Sequence, residues 1–216
     1  MKTSKILNVI LAVAVIGLVV KVVFFSGCRP TQKNETLETG MAAINLIMSR
    51  TSIRAYSGQS VENDKVETLL KAAMAAPTAG NKQPWKFVVI KDKQILNRLA
   101  SGNMKMAADA DLAIVVCGDL NLTFPGEGVD YWIQDASAAT ENLLLAAHAL
   151  GLGAVWCGIY PIQERVRMLS ELLNLPEHII PLNVIPIGYP AENPEPKDKW
   201  KPNSIHYDSW DYMEEQ

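Results

Sequence analysis

A chain of 216 residues with 49% hydrophobic content and a net charge of −3 can bury one sizeable core. No block of Lys or Arg stands out, which argues against the electrostatic footprint of a nucleic-acid binder. Three scattered cysteines, Cys28, Cys117 and Cys157, do not make a disulfide framework, and no Cys/His spacing suits zinc.

Lys2 and Lys5 precede ILNVILAVAVIGLVV, an uninterrupted apolar run shorter than the roughly 20 residues of a spanning helix. It fits the h-region of a signal peptide behind a basic n-region. FSGC resembles a lipobox in which Cys28 becomes acylated, with Phe25 where leucine is usual. The other reading is an uncleaved anchor from Ile6 to Gly27, with Lys21 reaching the interface. Lys2 and Lys5 oppose Arg29 and Lys33, so the positive-inside bias leaves the orientation open. Residues 1–28 are thus expected to be a signal peptide or membrane anchor, making the protein membrane-associated. RPTQKNETLETG, within 29–42, reads as a linker.

From Met41 the pattern becomes globular. MAAINLIMSR sets Ile44, Ile47 and Met48 at helical spacing, followed by the extended TSIRAYSGQSV. NDKVETLLKAAMAAP places Val66, Leu69, Leu70, Ala73 and Met74 on one stripe, with Asn63 or Asp64 as cap and Pro77 as stop. WKFVVIKD predicts a strand and KQILNRLA a short helix. DLAIVVCGD is continuously apolar, as in a central strand buried on both faces. YWIQDASAATENLLLAAHALGLG predicts a long alanine-rich helix ending at Gly151. AVWCG reads as a strand into a tight turn, IQERVRMLSELLNL as an amphipathic helix and LNVIPIGYP as a last strand. Helices and strands interleave without strict βαβ alternation, which predicts an α+β fold with helices around one sheet. Both MAAINLIM and the alanine-rich helix carry more apolar surface than one subunit is expected to hide, which suits an obligate dimer.

Four stretches could carry chemistry. In SRTSIRAYS, Arg50 and Arg54 flank Thr51 and Ser52 at a helix exit. Such a set suits a phosphate and a polyol chain, or is a solvated helix end. In APTAGNKQPWKF, turn chemistry explains Pro77 and Gly80, and Trp85 can be core. It does not explain Asn81 and Gln83 before a Pro-Trp pair. In GLGAVWCGIYP, Gly158 can offer a bare backbone N–H at close range. Cys157 is a nucleophile candidate with no His nearby in sequence, so packing is the favoured role, and Cys117 reads as core. In PKDKWKP, Lys197, Lys199 and Lys201 alternate as a solvated tail would. His148, His178 and His206 pair with no carboxylate, and no hydrolase triad is visible.

RTSIRAYS, APTAGNKQPWKF, DLAIVVCGD, IQDASAATENLLLAAHALGLGAVWCG and PIGYPAE, in this order, resemble blocks of the nitroreductase family of flavin mononucleotide (FMN) enzymes. The resemblance runs from about Ala43 to Trp210. It implies a nitroreductase-like domain over 43–216, with a central mixed or antiparallel sheet flanked by helices, in an intertwined homodimer sharing the FMN site. Carried over, Arg50, Thr51 and Ser52 would take the phosphate and ribityl chain, and Arg54 the N1/O2 edge of the ring. Pro77, Thr78, Ala79 and Asn81 would reach the cofactor from the other subunit, with Gln83, Pro84 and Trp85 shaping the loop behind them. Trp156, Cys157 and Gly158 would line the ring near N5, and Lys197 and Lys199 would meet the phosphate. Thr51 replaces a more usual basic residue and Lys199 a common arginine, which loses the bidentate fork and predicts weaker phosphate affinity. The implied activity is NAD(P)H-dependent reduction of nitroaromatics, quinones or similar small aromatic acceptors by ping-pong kinetics; the alternatives are a membrane-tethered flavin-binding protein without NAD(P)H turnover, or a related flavin reaction such as reductive dehalogenation or dehydrogenation. No side chain is expected to act as general acid, since the flavin carries the redox chemistry. The short segment from Asn121 to Tyr131 predicts an open, permissive pocket.

Overall fold

The computed structural model describes residues 32–101 and 104–210. The signal peptide or anchor expected over 1–28 lies outside the described residues, and among them no helix is long and apolar enough to cross a membrane. The chain divides into two units, Met1–Asn45 and Leu46–Gln216. As far as it is described, the first is the greater part of helix α1, Gln32–Ser49. The expected linker is therefore helical from Gln32 onward. No proline follows Pro30 in this stretch, and the single Gly40 costs only about 1 kcal/mol, too little to stop a continuing helix.

In the second unit the elements follow the sequence pattern closely. Helix α2 is Asn63–Met74, β1 Trp85–Ile90, α3 Lys93–Ala100, β2 Leu112–Asp119 and α4 Tyr131–Ala149. Two short strands, β3 Gly153–Ala154 and β4 Cys157–Gly158, precede α5, Gln163–Leu173, and β5, Ile179–Gly188. The sheet order is β1-β2-β5-β3, with β4 also on β5, and every pairing is antiparallel. AVWCG, expected as one strand, is thus two bridges separated by Val155 and Trp156.

All eight residues of β2 are buried, as its apolar run predicts. Period-2 alternation sorts them: Leu112, Ile114 and Val116 face one core cluster, and Ala113, Val115 and Cys117 face the other. The first cluster gathers Val66, Leu69 and Ala73 of α2 with Trp132, Ala136, Ala139, Leu143 and Ala147 of α4. The second gathers Leu96 and Leu99 of α3 with Val166 and Leu169 of α5. The alanines let α4 lie close on the sheet, and at Gly118 the indole of Trp132 occupies the space a Cβ would need. The alanine-rich helix therefore spends its apolar face inside its own subunit, contrary to the expected surplus. On α1, Ile44, Ile47 and Met48 are exposed.

Capping differs from expectation at α2. Its N-cap is Glu62, with no side-chain cap bond, while Asp64 Oδ1 accepts from the Lys65 N–H at 2.9 Å. Asn63 Oδ1 instead accepts from Lys91 Nζ. Helix α3 is capped by Asp92, whose Oδ1 accepts from Gln94 N at 2.7 Å and Ile95 N at 3.2 Å.

Gly118→Ala places a methyl 2.3 Å from the Trp132 ring, an overlap the packed core relieves only by shifting. The expected cost is about 1–3 kcal/mol. Urea unfolding checks it as a lowered midpoint at unchanged slope.

Candidate functional site

The segment after α1 is pinned along its length. Arg50 Nε lies 3.5 Å from Glu141 Oε1 on α4, and Ser49 Oγ lies 2.9 Å from His148 Nε2. Ile53 N donates to Ala154 O at 3.0 Å, binding the segment to β3. That approach needs Gly153, since a Cβ there would stand 2.5 Å from Ile53 Cγ2. Tyr56 bridges to Pro190, and its hydroxyl donates, shared, to the carbonyls of Ile53 and Pro186, each at 3.0 Å. Glu192 Oε1 accepts from the backbone N–H of both Arg54 and Ala55. A cavity of about 210 Å³ opens beside Arg50 and Thr51, reaching His148, Glu192 and Asn193.

This bracing holds the Arg54 backbone and leaves its guanidinium exposed, with NH1 reaching only Ser52 O at 3.5 Å. The Arg54 charge is felt at Cys157. Burial pushes that thiol up, and the guanidinium draws it partly back. Cys157 Sγ sits 3.9 Å from Met106 Sδ. Trp156 is 37% exposed, and Gly158 is exposed, with open space where a side chain would stand. Arg165 NH1 donates to Gly158 O at 3.0 Å. The structure thus brings Arg50, Thr51, Ser52 and Arg54 to β3 and β4, where Trp156, Cys157 and Gly158 lie.

The loop from Pro77 to Gln83 is built on a different part of α4. Ala79 N donates to Oδ1 of buried Asp135 at 2.8 Å, and Gln83 N donates to Thr78 Oγ1 at 3.2 Å. Gln83 Nε2 donates to Asn81 Oδ1 at 2.9 Å. Gly80, Asn81 and Gln83 have φ of 54°, 54° and 50°. The left-handed region suits Gly and is tolerated by Asn, but for Gln83 it is strained. Phe124 closes over Gly80, where a Cβ would meet Cζ at 2.7 Å, and Lys82 Nζ lies 5.1 Å from the ring centroid. Trp85 is core, while Pro77, Asn81 and Gln83 are exposed and Thr78 and Ala79 half-buried. Lys197 and Lys199 lie on the exposed tail after β5, and neither makes an ion pair among the described residues.

Three carboxylates that hold these segments, Asp135, Glu141 and Glu192, were not singled out from the sequence, nor were Met106 and Arg165. Asp135 and Glu141 had a visible signal, as the two acids of an otherwise alanine- and leucine-rich helix. Glu192 closes the PIGYPAE block, Arg165 reaches back seven residues to a carbonyl, and Met106 acts across the fold with no signal in the sequence. The arrangement offers a fixed cation, polar side chains and an uncovered backbone at one sheet edge, with an exposed polar loop elsewhere on the surface.

The family model described as the nitroreductase family matches residues 47–111 and 100–189. A relative in Archaeoglobus fulgidus, provisionally named NADH dehydrogenase/NAD(P)H nitroreductase, is 44% identical over 173 residues. The match covers 77% of this chain and 98% of that protein. The solved FMN-dependent nitroreductase from Clostridium difficile R20291 is 30% identical with a TM-score of 0.71, covering 77% of this chain and 99% of its own. The NADPH:FMN oxidoreductase of Vibrio harveyi complexed with NAD+ is 26% identical with a TM-score of 0.72, covering 79% of each chain.

The membrane-associated localisation expected from the N-terminus is corrected by these findings. The Archaeoglobus relative, matched over 98% of its length, has no length for an additional N-terminal segment. Among the described residues no helix can span a bilayer either. Membrane association, with its lipoprotein and signal readings, is not carried forward.

Asp135→Ala leaves the Ala79 N–H without its charged acceptor, a loss of about 1.5–3 kcal/mol. Amide exchange at Ala79 is expected to quicken roughly ten- to a hundredfold, with Asp135→Asn milder; unchanged exchange in the alanine variant would show the bond to be dispensable. Burial also sets thiol reactivity. It pushes Cys117 up to about 12 and Cys157 above its ordinary value, so each holds less thiolate at a given pH than a free thiol. With iodoacetamide at pH 8, site-resolved mass spectrometry should rank free cysteine above Cys157 and Cys157 above Cys117.

Proposed function

The chain belongs to the nitroreductase family, and on that premise we propose that it is an FMN-dependent oxidoreductase drawing reducing equivalents from NAD(P)H and passing them to nitroaromatics, quinones or similar flat electrophiles. The general reaction, flavin-dependent oxidation of NAD(P)H, is that of the relatives named for it, among them an oxygen-insensitive NADPH nitroreductase and an NADPH-flavin oxidoreductase. The observation that carries the reading to this chain is the Arg54 guanidinium, held by Glu192 through its backbone, beside the open backbone of Gly158.

The residues present fit FMN. No side chain covers Gly158, so a planar ring can lie against its backbone. Arg50, Thr51 and Ser52 supply the charge and hydroxyls that suit a phosphate and a ribityl chain. When bound, FMN supplies reversible two-electron chemistry. Arg54 provides positive charge where a reduced ring needs it. Cys157, its thiol raised by burial, stays neutral near pH 7 and serves as a wall of the pocket, with Trp156 on its rim.

A second copy of the chain completes the site in this reading. The exposed Ile44, Ile47 and Met48 stripe supplies apolar surface for an interface, and the Pro77, Thr78, Ala79 and Asn81 loop reaches the partner's cofactor. Lys197 and Lys199, exposed in one copy, come to the phosphate on assembly. With one open ring face, donor and acceptor bind in turn, which gives ping-pong kinetics.

Anaerobic titration of the FMN-loaded protein with NADH and NADPH tests the proposal: at least one should bleach the flavin absorbance, and protein that takes up no FMN would falsify it. Arg50→Ala should weaken FMN binding roughly ten- to a hundredfold, the worth of one charge-assisted contact. Arg54→Ala, once saturated with FMN, should slow reduction of the flavin.

A further inference from the structure

Helices α3 and α5 share one face of the sheet, meeting the second core cluster through Leu96, Leu99, Val166 and Leu169. Between their outer edges lies a cleft of about 510 Å³, within the roughly 300–1,000 Å³ range of small-molecule sites. Its walls are mainly apolar. Met104, Ile162, Met168 and Leu172 line it, with Ile162 45% and Met168 61% exposed. Those exposures are large for apolar side chains that the fold does not require at the surface.

Arg98 at the end of α3 and Arg165 in the first turns of α5 also line this cleft. Arg165 commits one N–H to Gly158 O, and the Arg98 guanidinium makes no hydrogen bond or ion pair among the described residues, its carbonyl alone accepting from Ser101 Oγ. Glu164 is the single acid of the lining and pairs with neither arginine. Two guanidiniums against one carboxylate leave a single positive charge, complementary to a monoanion. The planar forks of arginine match a carboxylate. The methionines, unbranched and adaptable, suit a flexible apolar tail better than a rigid ring.

The geometry points to a second ligand site in this cleft, which binds an organic carboxylate with a flexible apolar tail, its acid group on Arg98 and Arg165. The cleft also reaches Gly158, at the edge of the proposed flavin site, while its ligand is inferred from Arg98, Arg165 and the apolar walls alone. Arg165 also holds the Gly158 carbonyl, so an occupied cleft and the Trp156–Gly158 segment share one side chain.

Calorimetric titration of the full-length, FMN-loaded protein with decanoate below its micellar concentration tests this, with decanol and acetate as probes lacking the charge or the tail. Decanoate is expected to bind at one site, with decanol and acetate at least about tenfold weaker, the worth of one good polar or apolar contact set. Arg98→Gln and Met168→Glu, both at exposed positions, should each weaken decanoate at least about tenfold while circular dichroism and FMN absorbance stay unchanged. Absent heat with decanoate, decanol binding as tightly, or undiminished binding by both variants would overturn the site. Flavin absorbance, read separately, reports the fate of the FMN proposal independently.

Discussion

Every residue of strand β2 is buried, and the remaining architecture follows from that constraint. A strand buried on both faces needs an apolar layer against each, and its alternation assigns α2 and α4 to one layer and α3 and α5 to the other. It must also satisfy its backbone on both edges, which β1 and β5 do. Once β5 occupies its place, its far edge remains open. The short strands β3 and β4 take that edge, β3 at its C-terminal end beside Ile187–Gly188 and β4 at its middle beside Asn183–Val184. The unpaired Val155 and Trp156 between them interrupt the sheet where the open backbone of Gly158 follows.

The candidate site is hung on this frame by carboxylates. Asp135 and Glu141, both on α4, reach the Ala79 loop and Arg50, and Glu192, just beyond β5, gathers two successive N–H groups of the Arg54 segment. Asp135 and Glu141 tie loops to helix α4, and Glu192 ties the Arg54 segment to the chain just beyond β5. A charged acceptor on a backbone donor is worth about twice a neutral one, so these few bonds can hold segments that bury little apolar surface. The left-handed Gln83 shows that the loop is held against its local preference, by the Thr78 and Asn81 contacts on one side and Phe124 on the other.

Two titratable neighbours of Arg54 are neutral near pH 7, the phenol of Tyr56 and the thiol of Cys157, and desolvation pushes both further up. The neutral thiol leaves Cys157 without the thiolate that nucleophilic chemistry would need, consistent with the packing role favoured on sequence grounds. The anionic neighbour of Arg54 is Glu192, whose carboxylate is taken up by the backbone N–H groups of Arg54 and Ala55, and the guanidinium is the cation on which the proposed cofactor site rests.

The sequence by itself determined the elements, because their signals are local. The apolar run of β2, the stripe of α2 and the alanine-rich length of α4 each impose their structure through periodicity and burial alone. It also carried the family resemblance, since the blocks from RTSIRAYS to PIGYPAE lie in order along the chain. The tertiary structure alone decided how those blocks are held. Glu192 meets the Arg54 backbone across more than a hundred residues, Met106 meets Cys157 across about fifty, and Arg165 finds a carbonyl that no spacing rule foretells. It also settled where α4 spends its apolar face and that α1 reaches back to Gln32, where the sequence suggested a linker. Contacts between distant segments depend on how helices stack on the sheet, and a pattern of period two or 3.6 holds no record of that stacking.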